Sequence, residues 1–92
     1  MAAEPITDYI ISDHAAIEIK RRGLSVETID GVLKSPGQRL EVRIGRVVLQ
    51  SKIPESDSVY LVRVFVDIDR APAEVVTAYR TSKVLKYWRA EI

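Results

Sequence analysis

Between Asp13 and Lys34 apolar residues return every three or four positions, whereas from Gln38 to Arg80 they alternate with polar ones. The first spacing is that of helices lying on a core, the second that of strands with one buried face. Ser12 or Asp13 can accept a backbone N–H and open a helix over Asp13 to Arg22, preceded by Tyr9-Ile10-Ile11. Within it Ala15, Ala16, Ile17 and Ile19 are helix-compatible, and Glu18 and Arg22 are spaced to pair. Lys20-Arg21-Arg22 suits the negative end of the dipole, and Gly23 is placed to close the helix. Ser25 caps a second helix, Val26 to Lys34, whose stripe is Val26, Ile29, Val32 and Leu33. Gly31 weakens it by about 1 kcal/mol, and Ser35-Pro36-Gly37 stops it, because a residue preceding proline is driven from helical geometry.

Leu40, Val42 and Ile44 then alternate with Glu41 and Arg43, and Gly45-Arg46 sits where a hairpin turns into Val47–Ile53. Pro54–Ser58 is a turn cluster. Val59–Ile68 is the most apolar strand and is expected at the centre, and Asp69-Arg70-Ala71-Pro72 leads into a fourth strand, Glu74 to Arg80. Short sequential connections imply a four-stranded antiparallel meander packed on two N-terminal helices, an α+β fold. After Thr81 the cations Arg80, Lys83, Lys86 and Arg89 recur every three residues while Val84, Leu85 and Trp88 lie elsewhere. That pattern favours a short C-terminal helix over a continued strand. The expected organisation is a single domain over 9–90 behind a mobile lead-in at 1–8.

Composition narrows the chemistry. At 92 residues, with 47% hydrophobic and 29% charged, the chain suits one small core rather than a disordered or fibrous protein. With no cysteine and one histidine, neither a disulfide nor a thiolate or histidine metal centre is expected, and no cofactor is implied. No apolar run reaches the roughly 18 residues of a membrane span. Residues 1–5 lack the basic and apolar regions of a secretion signal, so a cytoplasmic protein is expected. The net charge of +1 announces no nucleic-acid partner. Local distribution does more, since Arg80 to Arg89 carries four cations and no acid.

The run Val75–Lys83 passes from buried strand to hydroxyls and cations. A strand period places Val75, Thr77, Tyr79 and Thr81 on one face and Val76, Ala78 and Arg80 on the other. The polar end is either solvated or in a cleft; the alternative is that Thr and Tyr are simply strand formers at a frayed end. His14, in the first turn of its helix, is a candidate proton acceptor because the positive end of the dipole disfavours imidazolium, although a lone histidine is more often structural. Arg63, a charge in the most apolar strand, must reach solvent, a carboxylate such as Glu18, Glu41 or Glu74, or a ligand.

Metal-free cleavage of RNA needs a base for the 2′-OH, an acid for the leaving oxygen, and cations for the phosphorane. His14 is the candidate base, Tyr79 or Arg80 the proton donor, and Arg22, Arg63 and Lys83 the phosphate ligands, with Thr77, Thr81 and Ser82 as further hydroxyl candidates. Tyr79, Tyr87 and Trp88 interleaved with Arg80, Lys83, Lys86 and Arg89 also fit a surface on which bases stack and cations track phosphates. For Trp88, closure of the core is the favoured role. A Gly-rich phosphate loop, a Ser-His-Asp motif and a paired-carboxylate motif are all lacking.

His14-Ala15, Arg22-Gly23-Leu24-Ser25, Leu33 with Pro36, Val75–Thr81 and Lys86-Tyr87-Trp88, in that order, resemble the domain of unknown function 4258 family from about Tyr9 to Arg89. The resemblance implies a small α+β domain of two helices and an antiparallel sheet, grouped with the barnase, colicin and RelE-like ribonuclease toxins. It implies a toxin of a toxin–antitoxin pair or a secreted polymorphic toxin, with RNA and a cognate antitoxin as partners and with His14, Thr77, Tyr79 and Arg80 facing the cleft. Glu18 stands where many members carry Arg, removing a cation or supplying a base. The leading expectation is a metal-independent ribonuclease of toxin type. A non-catalytic relative that binds RNA or protein with the same face is second, and a module dimerising through the Leu40–Ile44 edge is third.

Overall fold

The two periods become two layers in the computed structural model, which describes residues 3–90. The elements are β1 (Tyr9–Ile11), α1 (Asp13–Arg21), α2 (Val26–Lys34), β2 (Gln38–Arg43), β3 (Arg46–Glu55), β4 (Ser58–Asp67), β5 (Ala73–Thr81) and α3 (Val84–Tyr87). Both long helices begin as their residue types dictate. Ser12 Oγ accepts the Ala15 N–H at 3.1 Å and Ser25 Oγ accepts the Thr28 N–H at 3.1 Å. After α1 the chain turns through Gly23, whose φ of 72° lies in the left-handed region that glycine enters without penalty.

The fold is α+β, and strands β2 to β5 form the expected antiparallel meander. The sheet nevertheless has five strands, ordered β1-β5-β4-β3-β2, and is mixed. Tyr9–Ile11 pairs in parallel with β5, Tyr9 facing Ala73 and Ile11 facing Val75. Three residues are too few to display a period, and a parallel partner needs a long crossover, which the helices and the meander supply. The lead-in also joins the core earlier than expected. Ile6 is buried, and its N–H donates to the Leu33 carbonyl at 2.8 Å. The short C-terminal helix is present as α3.

One face of the sheet carries the helices. Val62, Val64 and Val66 of β4, with Val47 and Leu49 of β3, meet Ile19 of α1 and Ile29 and Leu33 of α2 in a continuous core. Each such side chain contributes about 1.5–3 kcal/mol on full burial. The strand period assigned to β5 fails at a bulge. Phe65 faces Thr77 and Val66 faces Val75, leaving Val76 as the extra residue. Val75 and Ala78 therefore both enter the core, whereas Tyr79 and Thr81 pair with Arg63 and Leu61 on the opposite, open face. Among the described residues no helix is long and apolar enough to cross a membrane.

At the far end of the sheet Asp67 accepts from Arg46 Nε at 2.6 Å and lies 3.7 Å from Arg70. The Arg46 hydrogen bond outweighs burial and holds its carboxyl below the ordinary carboxylate value. A carboxyl depressed in the folded state contributes full stability above its unfolded pKa, and that contribution is lost as pH falls toward the lower folded value. Asp67→Asn is expected to cost about 1.5–3 kcal/mol near neutral pH. It should also flatten the fall in melting temperature at acid pH; parallel acid limbs in the two proteins would contradict the assignment.

Candidate nucleic-acid interface

The residues singled out from the sequence occupy three places rather than one cleft. His14, Glu18, Arg22 and Thr77 gather where α1 crosses the edge of β5. Thr77 donates to Glu18 at 2.8 Å, Arg22 donates to Thr77 at 3.2 Å and to the Ala78 carbonyl at 2.7 Å, and His14 lies 3.4 Å from Glu18. The Thr77 hydrogen bond, then Arg22 and His14, hold the Glu18 carboxyl below its usual range. Beyond its pairing with the three residues of β1, β5 has a carbonyl facing outward, and Arg22 satisfies it. Glu18 orients that clamp. The His14 side chain is 78% exposed beside it.

Arg80 stands apart on the helix-bearing face. It donates to both carboxylate oxygens of Glu55, at 2.9 and 3.2 Å, with its guanidinium 4.9 Å from the Tyr60 ring centroid. Tyr79 and Arg80, adjacent in sequence, therefore serve opposite faces. Thr81 Oγ1 accepts the Lys83 N–H at 3.1 Å and sets the start of α3, leaving the Lys83 side chain exposed.

The open face holds the third group, built around Arg63. Its Nε donates to Gln50 at 2.9 Å and its Nη1 to the Tyr79 hydroxyl at 2.7 Å. The guanidinium lies over the Tyr87 ring, 4.3 Å from its centroid, and 5.3 Å from that of Phe65. Glu18 and Glu74 are engaged elsewhere, so an amide and a phenol, not a carboxylate, make this cation tolerable in an apolar strand. Gln50 is fully buried and donates to Gln38 at 2.8 Å and to the Tyr87 carbonyl at 3.2 Å. Gln38 in turn donates to the Arg89 carbonyl at 2.7 Å and accepts the Arg89 N–H at 3.1 Å. These bonds tie the chain after α3 across the sheet. Trp88 lies against Gly37, where a Cβ would come within 2.8 Å of its ring, and Lys52 Nζ sits 4.3 Å from the ring centroid.

The result is a groove of about 360 Å³, walled by Leu40, Val48, Phe65 and Tyr87 and edged by Arg63, Lys86 and Arg89. The neighbouring Tyr79 hydroxyl, followed by Lys86 and Arg63, lowers the Tyr87 pKa below the ordinary phenol value. Aromatic rings and cations thus share one surface, the combination on which bases can stack and phosphates can bind. Tyr79, Tyr87, Lys86 and Arg89 were grouped by their interleaving in the sequence, and Arg63 joins them here. Gln50, Phe65 and Lys52 were missed. Gln50 did carry a signal, as the polar residue that follows the apolar run Val47-Val48-Leu49 within a strand.

Among the described residues, no three of His, Cys, Asp and Glu converge in a metal-binding arrangement. Comparisons with protein-family models, with curated proteins and with solved structures found no match to the chain.

Proposed function

We propose that the chain is a metal-independent ribonuclease-like domain of toxin type that takes single-stranded RNA on the open face of its sheet. The observation that carries this is the Arg63 guanidinium, hydrogen-bonded to Tyr79 and stacked on Tyr87 between the cations of the groove. Phosphate oxygens meet Arg63, Lys86 and Arg89, and a base stacks on Phe65 or Tyr87. Tyr87, where it ionises beside Lys86 and Arg63, is the group placed to take the 2′-OH proton. The 2′ oxygen attacks the adjacent phosphorus, Arg63 stabilises the pentacoordinate phosphorane, and the 5′ oxygen leaves with a proton donated by Tyr79. The products are a 2′,3′-cyclic phosphate and a 5′-hydroxyl. His14, assigned as base from the sequence, is not on this face and has no step in this scheme.

The test is cleavage of a mixed-sequence RNA in EDTA by wild type, Tyr87→Phe and His14→Ala. Wild type is expected to leave 2′,3′-cyclic ends. Tyr87→Phe should be slower by about 10²–10⁴-fold, while His14→Ala should match wild type. Loss of cleavage in His14→Ala at unchanged melting temperature would move the site to the α1–β5 edge. A second reading, binding without cleavage, is favoured by one detail: two of the three guanidinium nitrogens of Arg63 are already engaged by Gln50 and Tyr79. Salt-dependent RNA retention without product would establish it.

A further inference from the structure

The two edges of the sheet are treated differently. On the β1 side the stretch of β5 beyond β1 has its Ala78 carbonyl taken by Arg22. On the other side β2 pairs only with β3, so its outer N–H and C=O groups have no strand partner among the described residues. Such an edge is a template for another strand unless its sequence forbids pairing. In β2 the charges do the opposite. Arg39 and Glu41, two positions apart and so on one face, form no ion pair within the chain among the described residues. Arg39 makes only an exposed bond of 3.3 Å to the Glu4 carbonyl. Beyond Glu41 a bulge at Val42 ends the regular strand, and Val42 and Ile44 stand 47% and 91% exposed beside it.

We propose that β2 is the docking edge for a second copy of this chain, paired antiparallel about a two-fold axis perpendicular to the sheet and centred on Leu40. The register follows from the charges. Centred on Leu40, Arg39 faces Glu41 of the other copy twice, and Leu40 faces Leu40. Centred on Glu41, that residue faces itself and Arg39 faces Arg43; centred on Arg39, two arginines collide. Only the Leu40 register of these three pairs opposite charges and stays ahead of the bulge. The contact is short, so the dimer is weak and concentration-dependent. Leu40 pairs with Val48 and lines the groove on the open face, so the two-fold places both grooves side by side on one surface. That consequence rests on the proposed function; the pairing does not.

The test is the mass of the intact chain by sedimentation across a wide concentration range without RNA. The chain should approach twice its 10.4 kDa at high concentration. Arg39→Glu alone and Glu41→Arg alone should each weaken association by about tenfold or more, and the combined swap should restore it, all three at wild-type melting temperature. A monomer at every concentration would overturn the proposal. Association indifferent to the single substitutions, or lost in the combined swap, would place the contact on another surface and overturn it equally.

Discussion

Arg63→Met is expected to reduce RNA cleavage by about 10²–10³-fold and to lower the salt dependence of RNA binding by about 0.7 in log–log slope, the share of one phosphate contact to a single strand. The side chain is replaced by one of similar length without its fork. Lost with it are the bond to Tyr79 at 2.7 Å, the bond to Gln50 at 2.9 Å and the charge over Tyr87. Arg63→Lys is the informative control. An ammonium keeps the charge but not the planar arrangement that spans Gln50 and Tyr79. It should preserve most of the salt slope while losing most of the cleavage. The variants are compared under conditions where both are folded, because the bonds left unmade cost about 1–3 kcal/mol. Equal cleavage by wild type and Arg63→Met would show that no phosphorane is stabilised at this position.

Gln50→Leu is expected to lower stability by about 2–4 kcal/mol. Burying a larger apolar group does not compensate, because the Arg63 Nε–H and the Tyr87 carbonyl lose the Gln50 partner together and Gln38 Oε1 keeps only the Arg89 N–H. The effect should be visible locally as well as globally. Trp88 is the only tryptophan, and the segment that holds it is anchored through Gln38 and Gln50. Its emission should shift to longer wavelength in native buffer as that segment detaches and Trp88 meets water. A urea midpoint and an emission maximum both unchanged from wild type would contradict the structural role given to Gln50.

These two residues also show where sequence reasoning succeeds and where it stops. The helices and the strands β2 to β5 were legible because each runs long enough for its period and its Ser caps or turn residues to agree. Strand β1 was not: Tyr9-Ile10-Ile11 has no period of its own, and its partner lies more than sixty residues away. The bulge at Val76 was not legible either, and one extra residue moved Val75 away from the face of Tyr79. The division of the site has a different origin, the plain alternation of the strand. Val75–Lys83 reads as one ledge, yet alternation sends Tyr79 to the open face and Arg80 to Glu55 on the other. For Arg63 the sequence points to solvent, a carboxylate or a ligand, whereas its partners are the Gln50 amide and the Tyr79 hydroxyl. That the partner is Gln50 depends on the register between β3 and β4, which pairs the two residues directly and which spacing alone does not determine.

The most direct test of the open-face site is an NMR titration of the labelled chain with a short single-stranded RNA whose 2′-OH groups are replaced by hydrogen, so that binding proceeds without cleavage. Shift changes are expected at Leu40, Arg63, Phe65, Lys86 and Tyr87, with His14 and Glu18 silent. Changes confined to His14, Glu18, Arg22 and Thr77 would contradict the account and place RNA at the edge of β5.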